Sequence, residues 1–305
     1  MINVDSLSMR YGDFYAVDNI SFSVEKQEIF GIIGSNGAGK TSTVECIEGL
    51  RKASSGSVDV MGYNPWKERE KVNQLIGVQL QETLYQDRAK VYEICELFQS
   101  FYPNHLSYED LLEKLGLMEK RKAFVSTLSG GQKQKLAIVL SLISNPKIVF
   151  LDELTTGLDP KTRHEMWDMI LNLRQNGLTI VLVSHFMDEV EAICDRVAIM
   201  DKGKILSMGT VSDITKEYDL KQKVSFRTSL NNIEKIEKLG SEIYLKNNSD
   251  IVTLSGKGDD YLNNVITYLS ENNISYTDLD VKKPGLEDVF LDLLGYTPED
   301  DNNKE

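Results

Sequence analysis

Gly34-Ser35-Asn36-Gly37-Ala38-Gly39-Lys40-Thr41, with Ser42 behind it, has the spacing GxxxxGK[ST]. Glycines so placed let successive backbone N–H groups point inward around phosphate oxygens, and a helix starting there adds its positive end. Lys40 then reaches the β- and γ-phosphates, and the Thr41 hydroxyl is placed to bind Mg²⁺. A second glycine-rich loop is Leu128-Ser129-Gly130-Gly131-Gln132, and roughly 20 residues later the apolar run Ile148-Val149-Phe150-Leu151 ends in Asp152-Glu153. Asp152 would hold the metal and Glu153 would orient an attacking water as its base. His185 ends another apolar run, Val181-Leu182-Val183-Ser184, and could contact the γ-phosphate. Gln81 follows Ile76–Leu80; a neutral amide there can bind Mg²⁺ or the water without quenching charge, with Gln79 as competitor for the role. Tyr11 could stack on adenine. Two loops suited to phosphate, with an acid pair behind the second, predict that ATP is gripped from both sides. One chain rarely reaches both sides, so dimerisation is expected.

The elements around these residues follow the same plan. Ile29-Phe30-Gly31-Ile32-Ile33 reads as a buried strand feeding the first loop, and Val44, Ile47 and Leu50 recur at helical spacing after it. Strand, glycine loop and helix is the context phosphate binding requires. Val17, Ile20, Phe22 and Val24 read as an earlier strand, as do Ile2 and Val4. From about 82 to 145 the pattern is mainly helical, with Val91, Ile94, Leu97 and Phe98 on one face and Leu111, Leu112 and Leu115 on another. Lys147–Leu151 and Leu178–Ser184 are continuously apolar, like parallel strands covered on both faces, and Met166, Met169, Ile170 and Leu173 mark a helix between them. The rhythm predicts an α/β core. After about Thr215 asparagine and charge rise, and the order becomes βαββαβ. Its strands are Val224–Thr228, Glu242–Leu245, Ile251–Leu254 and Ser275–Val281, and its helices centre on Ile236 and Val265. A last helix starts near Pro284, and the tail Asp300–Glu305 is polar.

The 305 residues favour two domains, expected at 1–215 and 216–305. A formal charge of −13 argues against a nucleic-acid binder, so no nucleic-acid partner is expected. Cys46, Cys95 and Cys194 are scattered and odd in number, which fits small buried residues better than a zinc site or a disulfide framework. The N-terminus shows no basic region followed by an apolar stretch, so no signal peptide is expected. The longest apolar segments, such as Leu136–Ile143, fall short of the ~20 residues a membrane span needs. The chain therefore reads as soluble, with any membrane role carried by a partner.

In order, Tyr11, Gly34–Thr41, Gln81, Leu128–Gln132, Asp152-Glu153, Gly157-Leu158-Asp159 and His185 resemble the nucleotide-binding subunit of ABC transporters over about residues 2–215. The resemblance implies a P-loop NTPase with β-strand and helical subdomains, the helical one at about 82–145. It makes Tyr11 the A-loop aromatic, Gln81 the Q-loop glutamine and His185 the switch histidine. Ser129, Gly130, Gly131 and Gln132 become the signature loop, touching the γ-phosphate in the opposite subunit, and Asp159 belongs to the D-loop crossing the dimer. Pro284-Gly285-Leu286-Glu287-Asp288-Val289-Phe290-Leu291 is similar to the PxLEDVFL ending of ATPase subunits of type-2 ABC exporters, which often carry an extra domain; here that domain is expected to be small, α+β and ferredoxin-like. That likeness implies a homodimer working with a separately encoded integral membrane permease, on the cytoplasmic face of the membrane. One departure is Leu154, where the family usually has proline; its loss is expected to loosen the D-loop without removing a catalytic group. Two rivals are a soluble ABC ATPase of translation or DNA repair and a regulator that only senses ATP. The first usually carries two ATPase units or long coiled-coil insertions, and the intact Asp152, Glu153 and His185 speak against the second.

Overall fold

The computed structural model describes residues 1–79, 88–218, 220–229, 232, 235–236, 242–245 (backbone alone), 250–258 and 260–295. They fall into two compact units, Met1–Val211 and Ser212–Glu305.

The first unit holds two sheets. Strands β1 (Ile2–Tyr11), β2 (Phe14–Val24) and β4 (Ser55–Val60) form an antiparallel sheet in the order β2-β1-β4. Ile2, Val4, Val17, Ile20, Phe22 and Val24 are buried in one core with Phe30 and Ile32, and Phe22 stacks on Phe30 with ring centroids 5.3 Å apart. The larger sheet contains β3 (Ile29–Gly34), β5 (Ile76–Gln79), β6 (Ile148–Asp152), β7 (Thr179–Ser184), β8 (Arg196–Asp201) and β9 (Lys204–Gly209), in the order β5-β6-β7-β3-β8-β9. All its pairings are parallel except β8 with β9. Strand β3 is buried along its whole length and so is β7, as both-face coverage by helices demands. The register sets Ile32 beside Val183 and Asp152 beside Val183, so the loops after β3, β6 and β7 emerge at one edge of the sheet. That carboxyl edge is where parallel α/β sheets bind ligands.

The helices of this unit are α1 (Lys40–Ile47), α2 (Arg69–Asn73), α3 (Val91–Ser100), α4 (Tyr108–Lys114), α5 (Gly130–Leu142), α6 (Pro160–Gln175) and α7 (Met187–Ile193). Two local expectations need correcting. Helix α1 ends at Ile47 and the chain turns at Gly49, with φ +73°; Leu50 lies beyond the turn and is exposed rather than continuing the apolar stripe. On α3 the buried residues are Val91 and Cys95, whereas Leu97 is half exposed. An i, i+4 pair suffices to seat a helix this short, and the remaining apolar residues lie at its margin. Gln81 lies outside the described residues.

The boundary of the second unit lies inside α8 (Val211–Glu217). The unit holds β10 (Gln222–Arg227), β11 (Glu242–Leu245), β12 (Ile251–Gly256), α9 (Tyr261–Glu271), β13 (Thr277–Lys282) and α10 (Leu286–Leu293). The strands pair antiparallel in the order β11-β12-β10-β13, the strand order of a split βαβ plan. Val224, Phe226, Ile236, Val252, Leu254, Val265, Leu269 and Ile274 form its core. The helix expected around Ile236 lies mostly outside the described residues, as do the Asn247-Asn248-Ser249 turn and the tail.

Candidate functional site

Strand β3 delivers the chain into the Gly34–Thr41 loop at the sheet's carboxyl edge. Gly39 has φ +100°, and a Cβ there would stand 2.3 Å from the Ala16 carbonyl oxygen, so only glycine closes this turn. Ala38 donates its N–H to the Ser35 carbonyl at 3.1 Å, and Gly203 donates to the Ala38 carbonyl at 3.0 Å. The Ser35 hydroxyl reaches Asp201 Oδ1 at 3.3 Å, while Asn36 and Gly37 are exposed at the crest. Lys40 Nζ donates to the Gly34 carbonyl at 2.8 Å and to the Ser35 carbonyl at 3.0 Å, arching over the loop. Helix α1 has no side-chain cap and no acidic residue in its first turn, which leaves its N–H groups and positive end directed at the loop. Thr41 is exposed on that first turn and Ser42 is half-buried.

The acid pair stands at the end of β6, one strand from β7 and two from β3. Asp152 is half-buried at the last position of β6, and its N–H donates to Gln79 Oε1 at 3.1 Å. Glu153 leaves the strand in the left-handed region, φ +48°, with its N–H donated to the Val183 carbonyl at 2.9 Å. A turn, not continued strand, therefore separates the two carboxylates. Glu153 Oε1 lies 2.9 Å from His185 Nδ1. The charges here are partly desolvated. Burial pushes the Lys40 ammonium below its usual range, against the pull of Glu153 and Asp152. Burial and then the neighbouring Glu153 push the Asp152 carboxyl up, against the pull of Lys40.

A second group lies elsewhere on the unit. Ser129 caps α5: its hydroxyl accepts from the Gln132 N–H at 3.3 Å, and Gln132 Oε1 accepts from the Ser129 N–H at 3.0 Å. Asp159 caps α6, accepting from the Thr162 N–H at 3.0 Å and the Thr162 hydroxyl at 2.6 Å, bonds that hold its carboxyl below the usual range. The loops abut one another. A Cβ on Gly131 would come within 2.5 Å of Thr162 Cγ2, and one on Gly130 would sit 3.7 Å from Leu158. The capping bonds of Ser129, Gln132 and Asp159 stay within their own loops. The structure thus gathers Lys40, Asp152, Glu153 and His185 in one place and Ser129, Gly130, Gly131, Gln132 and Asp159 in another.

The family model described as ABC transporter matches residues 17–156. The linearmycin resistance ATP-binding protein LnrL of Bacillus subtilis (strain 168) is 32% identical over 98% of this chain and 100% of its own length. The chain belongs to the ABC transporter ATP-binding family. The daunorubicin resistance ATP-binding protein DrrA3 of Streptomyces coeruleorubidus is 30% identical over 96% of each chain. A solved structure described as the dimeric structure of MJ0796, a bacterial ABC transporter cassette, superposes with a TM-score of 0.62 at 25% identity, covering 69% of this chain and 98% of that one. The cassette fold, ATP binding and ATP hydrolysis follow from membership, and cassettes of this family work as dimers with membrane permease components.

Within this ABC ATPase, Tyr11 closes β1 with its ring 41% exposed and the Arg51 guanidinium 5.4 Å from the ring centroid. Leu154 is fully buried, filling by packing the position where proline would have stiffened the turn. His105 and His164 are exposed and outside both groups. Among the described residues no helix is long and apolar enough to cross a membrane, and no cluster of three or more His, Cys, Asp or Glu side chains could hold a metal by itself. Gln79, the competitor of Gln81 for the metal or water by sequence, lies at the end of β5. Its actual place, 2% exposed with Oε1 on the Asp152 N–H, was signalled by a polar residue inside an apolar strand. Glu189, fully buried on α7 and bonded to Ser184 at 2.7 Å, carried no such signal.

Proposed function

We propose that this chain is the ATP-hydrolysing subunit of an ABC exporter, acting as an ATP-sandwich homodimer beneath a separately encoded integral membrane permease on the cytoplasmic face of the membrane. The observation that carries the mechanism is the split just described. Lys40, the open end of α1, Asp152, Glu153 and His185 make half of a hydrolytic pocket, and the Ser129–Gln132 and Asp159 loops make a different half. In a dimer each set would face the other's counterpart across bound ATP. Matches to two resistance proteins along nearly the whole chain, second unit included, support an exporter over a soluble role in translation or DNA repair.

In each pocket Lys40 and the α1 N–H groups bind the β- and γ-phosphates, with Tyr11 against adenine. Glu153 accepts a proton from the attacking water, and His185, held 2.9 Å from Glu153, keeps that carboxylate aimed and contacts the γ-phosphate. Hydroxyl and carboxylate oxygens are the donors at hand, Thr41 and Asp152, with Gln81 as the third by family likeness. This oxygen-only set suits Mg²⁺, which takes one or two protein carboxylates and otherwise phosphates and waters. Held by Thr41 and Asp152, such a cation would supply positive charge against the phosphate oxygens. Burial and then Glu153 raise the Asp152 carboxyl, and a cation beside it would oppose both. Residues 216–305 serve as an accessory domain in this assembly.

Glu153→Gln tests the reading. It should bind ATP and dimerise yet lose about 10²- to 10⁴-fold in phosphate release, the range a general base supplies. Parental turnover would remove Glu153 as the base.

A further inference from the structure

Glu189 lies on the inner side of α7, fully buried, and the chemistry above makes no use of it. It stands where three parts of the site meet. Ser184 donates its hydroxyl to Glu189 Oε2 at 2.7 Å and accepts from the Phe186 N–H at 3.0 Å, so this one oxygen steadies the backbone on both sides of His185. Thr155, two residues past Glu153, and Trp167, on α6 behind the Asp159 cap, face the same carboxyl; with Ser184 they favour its charged form against a burial that pushes its pKa up. Thr155 Oγ1, Trp167 Nε1 and Glu189 Oε1 are nonetheless buried without a partner at normal hydrogen-bond geometry. Polar atoms left so are costly, and apolar side chains of the same shape would avoid that cost. Two donors, one from the turn after β6 and one from α6, are thus gathered around one acceptor. The outer side of α7 is fastened as well. Asp188 pairs with Arg163 of α6 at 2.8 Å, and that guanidinium lies 5.3 Å from the Phe186 ring centroid.

We propose that Glu189 is a positioning residue for hydrolysis, clamping Ser184 beside the switch histidine and receiving Thr155 and Trp167 from the D-loop side, so that it sets the spacing between Glu153 and His185. Glu189 touches neither nucleotide nor water in this scheme. It acts through the two groups that do, by joining the loop after β7 to the turn after β6. This rests on the reading of Glu153 and His185 as the hydrolytic pair.

The test compares Glu189→Ala, Glu189→Gln, Ser184→Ala and Glu153→Gln in steady-state phosphate release across ATP concentration, with thermal unfolding beside it. Glu189→Ala should lose on the order of 100-fold in kcat, the effect of misplacing a catalytic group by about an ångström. Its KM should stay within about twofold of the parent, because no ground-state contact to ATP is removed. Glu189→Gln keeps a carbonyl for Ser184 but turns an NH₂ toward the Thr155 hydroxyl, which can accept, and the Trp167 N–H, which cannot, so its kcat should fall between the parent and Glu189→Ala. Ser184→Ala should lose kcat in the same sense as Glu189→Ala, and combining the two should add little, as for residues acting as a unit. Parental kcat in Glu189→Ala, equal losses in the alanine and glutamine variants, or a KM rising in step with the loss overturns the proposal. Should Glu189→Ala fail to fold, Ser184→Ala decides by itself, since unchanged kcat there breaks the clamp. Parental turnover in Glu153→Gln would instead sink the catalytic pair itself, whatever Glu189 does.

Discussion

Two glycine-bearing helix N-termini in this molecule are finished in opposite ways. Helix α1 begins after left-handed Gly39 with no side-chain cap and no acid in its first turn. Helix α5 begins after Ser129, whose hydroxyl and backbone N–H are both tied to Gln132 in a reciprocal capping box. An open N-terminus presents unsatisfied N–H groups and can take an anion directly. A capped one already has an acceptor in place, so a phosphate there must compete with a local oxygen. In the proposed dimer the difference would order the events: nucleotide would settle on α1 first, and α5 of the partner would exchange its cap for γ-phosphate only as the dimer forms. Glycine serves different ends in the two places. Gly39 supplies a backbone conformation, whereas Gly131 supplies the absence of a side chain against Thr162.

Breaking the open end should have the larger effect. Lys40→Ala removes the cation that arches over the loop, and nucleotide affinity should fall by roughly 2–5 kcal/mol, the cost of stripping one member of a desolvated charge pair. Titration of the variant with a fluorescent ATP analogue reads it, and parental affinity would mean the loop binds through its backbone alone. Ser129→Asp sharpens the contrast. Aspartate caps helices about as well as serine, so the melting temperature should stay within a few degrees of the parent. A carboxylate at the partner's γ-phosphate would repel it, so ATP-dependent dimerisation of the Glu153→Gln background, followed by light scattering, should be lost while the isolated chain still binds ATP. Dimers that persist would remove the signature loop from the shared pocket.

Gly131→Ala comes next. Its methyl group meets Thr162 Cγ2, and overpacking of this kind costs about 1–3 kcal/mol. Denaturant unfolding should show the loss, and Thr162→Ser in the same chain should recover part of it. The last test concerns the far end of α1, where Glu48 is buried and its carboxyl is pushed up to about 8, first by burial, then by Glu45 and Asp152. A helix C-terminus is also a poor place for negative charge. The folded pKa lies above the unfolded one, so the stability conferred by the neutral form is whole below about 4.5 and is lost as pH rises through about 8. Glu48→Gln never ionises. Its advantage in melting temperature over the parent should therefore grow between those two values and level off above them, and a constant difference across the range would contradict the burial.

Much of the site was legible because its chemistry is local in sequence. A glycine loop ending in Lys40 and Thr41 has one structural use after a buried strand, and an acid pair or a histidine after an apolar run lands at the carboxyl edge of a parallel sheet. The same reasoning misjudged margins. Leu50 matched the helical period but lay past the turn at Gly49, and Leu97 matched the stripe of a helix whose fully buried residues are Val91 and Cys95. Periodicity records which residues could share a face, not how many of them the neighbouring element covers. What sequence could not offer was the set of polar groups that brace the site from beneath. Gln79 meets the Asp152 N–H across two strands, and Glu189, one more acid in Met187-Asp188-Glu189-Val190-Glu191, looks like its solvent-facing neighbours until the fold turns it inward. Such contacts join residues far apart in the chain, and no spacing rule reports them.

The tether of Lys40 to the Gly34 and Ser35 carbonyls has a thermodynamic corollary. A loop that already holds its own curvature has little disorder left to surrender when a triphosphate arrives. Calorimetry on the isolated subunit should accordingly record a small heat-capacity change on loading, with the large one reserved for the closing of two subunits on each other.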